Sequence, residues 1–196
     1  MANLIIKPAS GGSLKLQEDG GTDAISISPT GVSTITNAAI TAWTPPAGTV
    51  LQVLSATKTD TFSQSTTLQW TDITGLSVAI TPSATSSKIW VSGVTYIGNL
   101  SGDPMTRIMR GSTAICIGNA DGNRTRITTG GSVRNTYELV AQPYNFLDSP
   151  STTSATTYKM QIYVGATSYV NRSNDDANNT NAERTASTIT VMEIKG

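Results

Sequence analysis

Thr157-Tyr158-Lys159-Met160-Gln161-Ile162-Tyr163-Val164-Gly165 alternates without a break. On an extended chain Tyr158, Met160, Ile162 and Val164 fall on one side and Thr157, Lys159, Gln161 and Tyr163 on the other, the pattern of a strand with one dry face and one wet face. Leu76, Val78 and Ile80 repeat it against Ser77, Ala79 and Thr81. No window of eleven or more residues sustains the i, i+3, i+4 spacing of an amphipathic helix. The β-branched Thr, Val and Ile that strands favour dominate instead. The chain therefore reads as all-β.

Working outward from that stretch, residues 49–196 hold nine strand candidates: Val50–Ala56, Thr66–Asp72, Leu76–Thr81, Lys88–Ile97, Met105–Arg110, Ala114–Gly118, Ser132–Leu139, Thr157–Gly165 and Ser187–Ile194. Short strands joined by Gly- and Pro-bearing turns predict an antiparallel β-sandwich, a jelly-roll knob. The longer connections are Asn99–Pro104, Asn119–Arg126, Gln142–Ser154 and Val170–Ala186, and the last has no large apolar anchor beyond Val170. Residues 43–48 contain Pro45 and Pro46, which fix φ and stiffen a linker. Residues 1–42 carry four short alternating runs, Leu4–Lys7, Ser13–Gln17, Ala24–Ser28 and Val32–Thr36, separated by Gly- and Pro-rich turns. A piece of about 40 residues seldom folds without a staple or a partner. It has no cysteine pair, so strands from identical neighbouring chains are expected to supply the missing face. The expected organisation is a β-rich stalk or anchor at 1–42, a linker at 43–48 and the knob at 49–196.

Composition excludes several function classes. The 196 residues include 13 basic and 13 acidic side chains, no histidine and one cysteine. Charged residues make up 13% where about 25% is usual, too few for a nucleic-acid or anionic-membrane surface. In their place stand 22 serines and 32 threonines, over a quarter of the chain, which suits wetted β-structure. Without histidine the usual general base and commonest metal ligand are missing, and none of the serines has an imidazole to activate it. Cys116, between Ala114-Ile115 and Ile117-Gly118, reads as an inert thiol packed in apolar surroundings. No apolar run nears the ~18 residues of a membrane helix, and MANLIIKPAS does not fit a signal peptide. A protein folded in a cytosol is expected, with no cofactor, no metal, no nucleic-acid partner and no membrane insertion.

Recognition residues sit preferentially on loops. Tyr144 and Tyr169, beside loop segments, are the aromatic candidates for stacking on a sugar ring. Arg172, Asp175 and Asp176 in the long 170–186 connection are the polar candidates. Asp175 with Glu183 could also serve as the carboxylate pair of a polysaccharide depolymerase, which needs two such groups about 5 to 10 Å apart. Arg107, Arg110, Arg124, Arg126 and Arg134 cluster in sequence and are expected on a solvent face or against a neighbouring chain.

Three stretches resemble bacteriophage fibre or head-decoration proteins: Leu4-Ile5-Ile6-Lys7 with Gly11–Leu16, the junction Gly48–Asp60 with Gly75–Val78 and Ser86–Ile89, and the closing Ser187–Ile194. The resemblance implies a homotrimer with an N-terminal stalk fixed to other virion proteins of the capsid, neck or tail. It implies a jelly-roll head displayed on the particle exterior and touching a host surface glycan or protein. It transfers no catalytic residue, so the expectation is a structural virion protein and not an enzyme. The alternatives are the depolymerase above and a lectin-like glycan-binding module.

Overall fold

The computed structural model describes residues 14–17, 23–27, 33–34 and 44–196, and the chain divides into two compact units, Met1–Thr44 and Pro45–Gly196. In the first, β1 (Leu14–Gln17), β2 (Asp23–Ile27) and β3 (Ser33–Thr34) form an antiparallel sheet in that order, with Leu14 opposite Ile27 and Leu16 opposite Ile25. The run expected at Leu4–Lys7 lies outside the described residues, as does most of the proposed anchor and the first residue of the linker, Trp43.

The second unit is built from β4 (Val50–Lys58), β5 (Phe62–Gln64), β6 (Thr71–Ile80), β7 (Lys88–Asn99), β8 (Met105–Arg110), β9 (Thr113–Ile115), β10 (Thr129–Gly130), β11 (Leu139–Asp148), β12 (Thr156–Tyr163), β13 (Ser168–Val170) and β14 (Ser187–Ile194). No helix occurs among the described residues. One sheet runs β4-β14-β7-β11, with β13 continuing the row of β14 along β7 and β5 pairing β13. The other runs β6-β12-β8-β9, with β10 also on β8. The chain passes back and forth between the sheets, and every strand pair is antiparallel. This is the strand order of an eight-stranded jelly roll.

Alternation places the core between the sheets. From one side come Ile73, Leu76, Val78 and Ile80 of β6 and Tyr158, Met160 and Ile162 of β12. Ile89, Val91 and Ile97 of β7 and Ile189 and Val191 of β14 face them. Each such aliphatic burial stabilises the fold by about 1.5–3 kcal/mol. β6 keeps both its ends inward by a bulge, since the register moves from Asp72 opposite Gln161 to Ser77 opposite Lys159. Gly75 sits in the bulge at φ +89, a backbone conformation glycine adopts without a Cβ penalty.

Three strand expectations need correction; of Ala114–Gly118 only Ala114 and Ile115 are strand, because the chain turns at Cys116 with φ 52. Residues 66–70 are not strand, because the chain turns there with Leu68 at φ 58, and β6 starts at Thr71. Of the expected strand Ser132–Leu139 only Leu139 is strand, as the first residue of β11, and the rest joins strands; the stretch read as a connection from Gln142 is mostly β11. Pro143 disguised it: among the described residues β11 pairs only with β7 and is an edge strand, where proline is tolerated.

Candidate functional site

The chain enters and leaves the second unit side by side. Gly48 N–H donates to Lys195 O at 2.8 Å and Lys195 N–H to Thr49 O at 2.8 Å. The long 171–186 loop lies at the opposite end of the sandwich, with the 65–70, 100–104 and 164–167 turns.

At that end Tyr169 of β13 lies under the Arg172 guanidinium, 3.4 Å from the ring centroid. Arg172 Nη1 donates to Ser173 O and Asn174 O at 3.0 and 3.1 Å. Its Nε lies 3.9 Å from Asp176, which Arg184 also pairs. Asp175 receives the Ala177 N–H on Oδ1 at 2.9 Å and donates its own N–H to Thr136 O. The fold thus brings Tyr169, Arg172 and Asp176 into one cluster with Asp175 beside it. Asp176 is committed to two arginines, and the Glu183 side chain is exposed, its backbone paired with Ser173. No observation sets Asp175 and Glu183 up as an acid and a nucleophile.

The 171–186 loop is anchored by polar groups instead of apolar ones. Asn171, fully buried at φ 64, donates its amide to Lys58 O and Asp60 O at 2.8 and 2.9 Å and accepts from Ser187 Oγ at 2.6 Å. Asparagine tolerates this left-handed conformation better than most residues.

Tyr144 is a correction. It is 5% exposed, faces the core from β11, and donates its hydroxyl to Thr188 O at 2.7 Å, so its ring is not a sugar platform. Burial pushes its phenol above the ordinary range. Cys116 is half-buried against the core, and burial raises its thiol. Among the described residues no three His, Cys, Asp or Glu side chains stand together to hold a metal, and no helix is long and apolar enough to cross a membrane.

Two surfaces escaped the sequence reading. On the outer face of the β6-β12-β8 sheet, Arg107 donates to Gln161 Oε1 at 2.9 and 2.7 Å, and Gln161 and Lys159 both donate to Asp72, at 2.7 and 2.6 Å. Arg107 also stacks 4.0 Å over Trp70, which lies 5.3 Å from Tyr163. Partial burial would raise the Asp72 carboxyl, but the bonds from Lys159 and Gln161 outweigh it and hold the carboxyl below its ordinary value. The wet side of the 157–165 alternation carried the signal for Lys159, Gln161 and Tyr163.

The outer face of the other sheet has the opposite character. Pairing registers align Val53, Met192, Trp90 and Leu147 in one row across the four strands. Ser55, Thr190, Ser92 and Asn145 form the next, and Thr57, Thr188, Val94 and Pro143 the third. None of the twelve is charged. Val53 is 52% and Leu147 48% exposed, at the two edges of the most apolar row.

No family model matches the chain, and no curated protein does. Among solved structures, a chain from the structure of infectious bursal disease virus Gt strain is similar with a TM-score of 0.42 and 16% identity, over 76% of this chain and 39% of that one. A chain from the Gx strain of the same virus gives 0.41 and 15%, over 94% and 47%. T=1 particles derived from the virus give 0.40 and 15%, over 74% and 36%. The protein spans less than half the length of each of these chains.

Proposed function

We propose that this protein is a structural component of a virus particle, a short homotrimeric fibre or decoration of a tailed bacteriophage. Residues 1–42 form the stalk that binds other virion proteins. The end of the sandwich opposite the chain entry, with Tyr169, Arg172, Asp175 and Asp176, contacts a host surface glycan or protein. The chain acts by assembly and adhesion, not by catalysis.

The observation that carries this reading is the block of three charge-free rows on the outer face of the β4-β14-β7-β11 sheet, with Lys88 at its border. Copies of this block can pack together with little like-charge repulsion, and the Val53–Met192–Trp90–Leu147 row gives them apolar area to bury. The opposite sheet face, with Asp72, Lys159 and Arg107, has no such character. Four strands about 4.8 Å apart and three rows about 7 Å apart cover roughly 400 Å² in plan, while a stable interface takes roughly 800 Å² per partner. The stalk supplies the remainder, which ties the two units to one assembly.

Sedimentation of the purified full-length chain tests this. A mass three times the 20.5 kDa chain is expected, and Val53→Asp with Leu147→Asp should shift it to monomer without loss of the β circular-dichroism signal. Both side chains are exposed at sheet edges, so the fold tolerates the change. A wild-type monomer rejects the assembly, and a trimer indifferent to the two aspartates rejects this face as its contact.

A further inference from the structure

A cavity of about 410 Å³ opens beside the β8–β9 turn, lined by Arg110, Gly111 and Ser112 on one side and by Pro150, Thr152 and Ala155–Thr157 on the other. It is a shallow depression, widely open to solvent, that would hold a ligand against one face. The walls are held in place. Gly111 N–H donates to Thr157 O at 2.8 Å, Ser154 N–H to Thr152 Oγ1 at 3.0 Å, and Thr156 Oγ1 to Ser154 O at 3.0 Å.

Arg110 is fixed from behind. Its Nη1 donates to both oxygens of Asp148, at 2.9 and 3.0 Å, and more weakly to Ser149 O. Asp148 is 5% exposed and also accepts the hydroxyl of the fully buried Tyr158 at 2.7 Å. The guanidinium is therefore positioned by the core, yet its side chain stays 30% exposed. Among the described residues Nε and Nη2 have no partner. These two N–H groups point the same way along one edge of the guanidinium, and that edge grips a planar carboxylate with two parallel bonds.

We propose that this cavity binds a carboxylate-bearing polyhydroxylated molecule, of the class of an acidic sugar, with the carboxylate on the Nε–Nη2 edge of Arg110. Ser112 and Thr157, whose hydroxyls make no side-chain bond among the described residues, face the ligand hydroxyls, and Pro150 and Ala155 meet its C–H faces. Asp148 offsets much of the Arg110 charge and, among the described residues, no second cation lines the cavity, so a singly charged carboxylate fits better than a phosphate dianion. The lining residues named all come from a single chain, and none lies in the 171–186 loop.

Titration calorimetry of the full-length protein with glucuronate, glucose and inorganic phosphate tests it. Saturable binding of glucuronate is expected, with glucose and phosphate each at least about tenfold weaker. Arg110→Lys, which keeps the charge and loses the fork, should weaken glucuronate by about tenfold or more. Ala155→Trp fills the cavity from an exposed position without removing a hydrogen bond, and should abolish binding at an unchanged melting temperature. Absence of glucuronate binding, equal binding of glucose or phosphate, or undiminished binding by Ala155→Trp would each overturn the assignment.

Discussion

Gly93→Ala is expected to cost about 3 kcal/mol or more of unfolding free energy, at the upper end of overpacking substitutions. Gly93 lies in mid-β7 with its missing side chain toward the core, opposite Tyr144 of β11. The Tyr144 ring passes over it to reach Thr188 O on β14, spanning three strands. A Cβ at Gly93 would come within 2.1 Å of the Thr188 backbone oxygen, 2.7 Å of the Tyr144 hydroxyl and 2.9 Å of the ring. Rotating the tyrosine away relieves only part of this, because the carbonyl belongs to a strand locked on both sides by β4 and β7. Thermal melting of the variant should fall by about 10 °C. Gly165→Ala is the control: nothing lies within 4 Å of its added Cβ, and its stability should stay within about 0.5 kcal/mol of the parent. Equal melting of the two variants would show that β14 yields at Thr188, and that the Tyr144 bridge does not fix the spacing of the sheet.

The same pair of residues shows where the sequence is legible. Alternation settled the all-β class, and for Met105–Arg110 and Ser187–Ile194 the expected bounds are those of β8 and β14. It also places Tyr158, Met160 and Ile162 in the core. Tyr144 followed the same alternation, but Pro143 hid its strand, so a core aromatic read as a loop aromatic. The charge-free rows of the sheet face were invisible for another reason. Val53, Trp90, Leu147 and Met192 are scattered over 140 residues, and only pairing registers bring them into one row. Arg110 was visible as one of a run of arginines. Its role depends on Asp148, a partner 38 positions away on the opposite sheet. The 171–186 loop lacked the apolar anchor a reader looks for, because Asn171 and Ser173 hold it through hydrogen bonds to the backbone.

Acid should weaken this protein through Glu193 in particular. On β14 the inward residues run Ser187, Ile189, Val191 and then Glu193, a carboxylate at a core position with 1% exposure. Its Oε1 accepts the Ser83 N–H at 2.7 Å, the Ser83 hydroxyl at 2.6 Å and the Ser87 hydroxyl at 2.7 Å, and its Oε2 accepts the Gln52 amide at 2.6 Å. These bonds tie the β6–β7 turn to β14 and β4 without any cation. Burial alone would raise the carboxyl, but the bonds from Ser83, Ser87 and Gln52 favour the charged form more strongly and hold it at about 2, against an ordinary value of 4.5. A group lowered on folding stabilises fully above its unfolded value, and that stability drains away as pH falls through its folded one. The contribution is on the order of 3 kcal/mol at neutral pH, lost between about pH 4.5 and pH 2. Asp60 and Asp72 are also held low and add to the acid sensitivity of the whole protein, so the informative quantity is the difference between parent and Glu193→Gln. Denaturant unfolding at one fixed protein concentration, read by tryptophan fluorescence, should put the variant on the order of 2 kcal/mol below the parent at pH 7. That gap should narrow steadily between pH 4.5 and 2. Curves that stay parallel through this window would mean that the four donors serve a neutral carboxyl as well as a charged one, and that Glu193 does not govern the acid response.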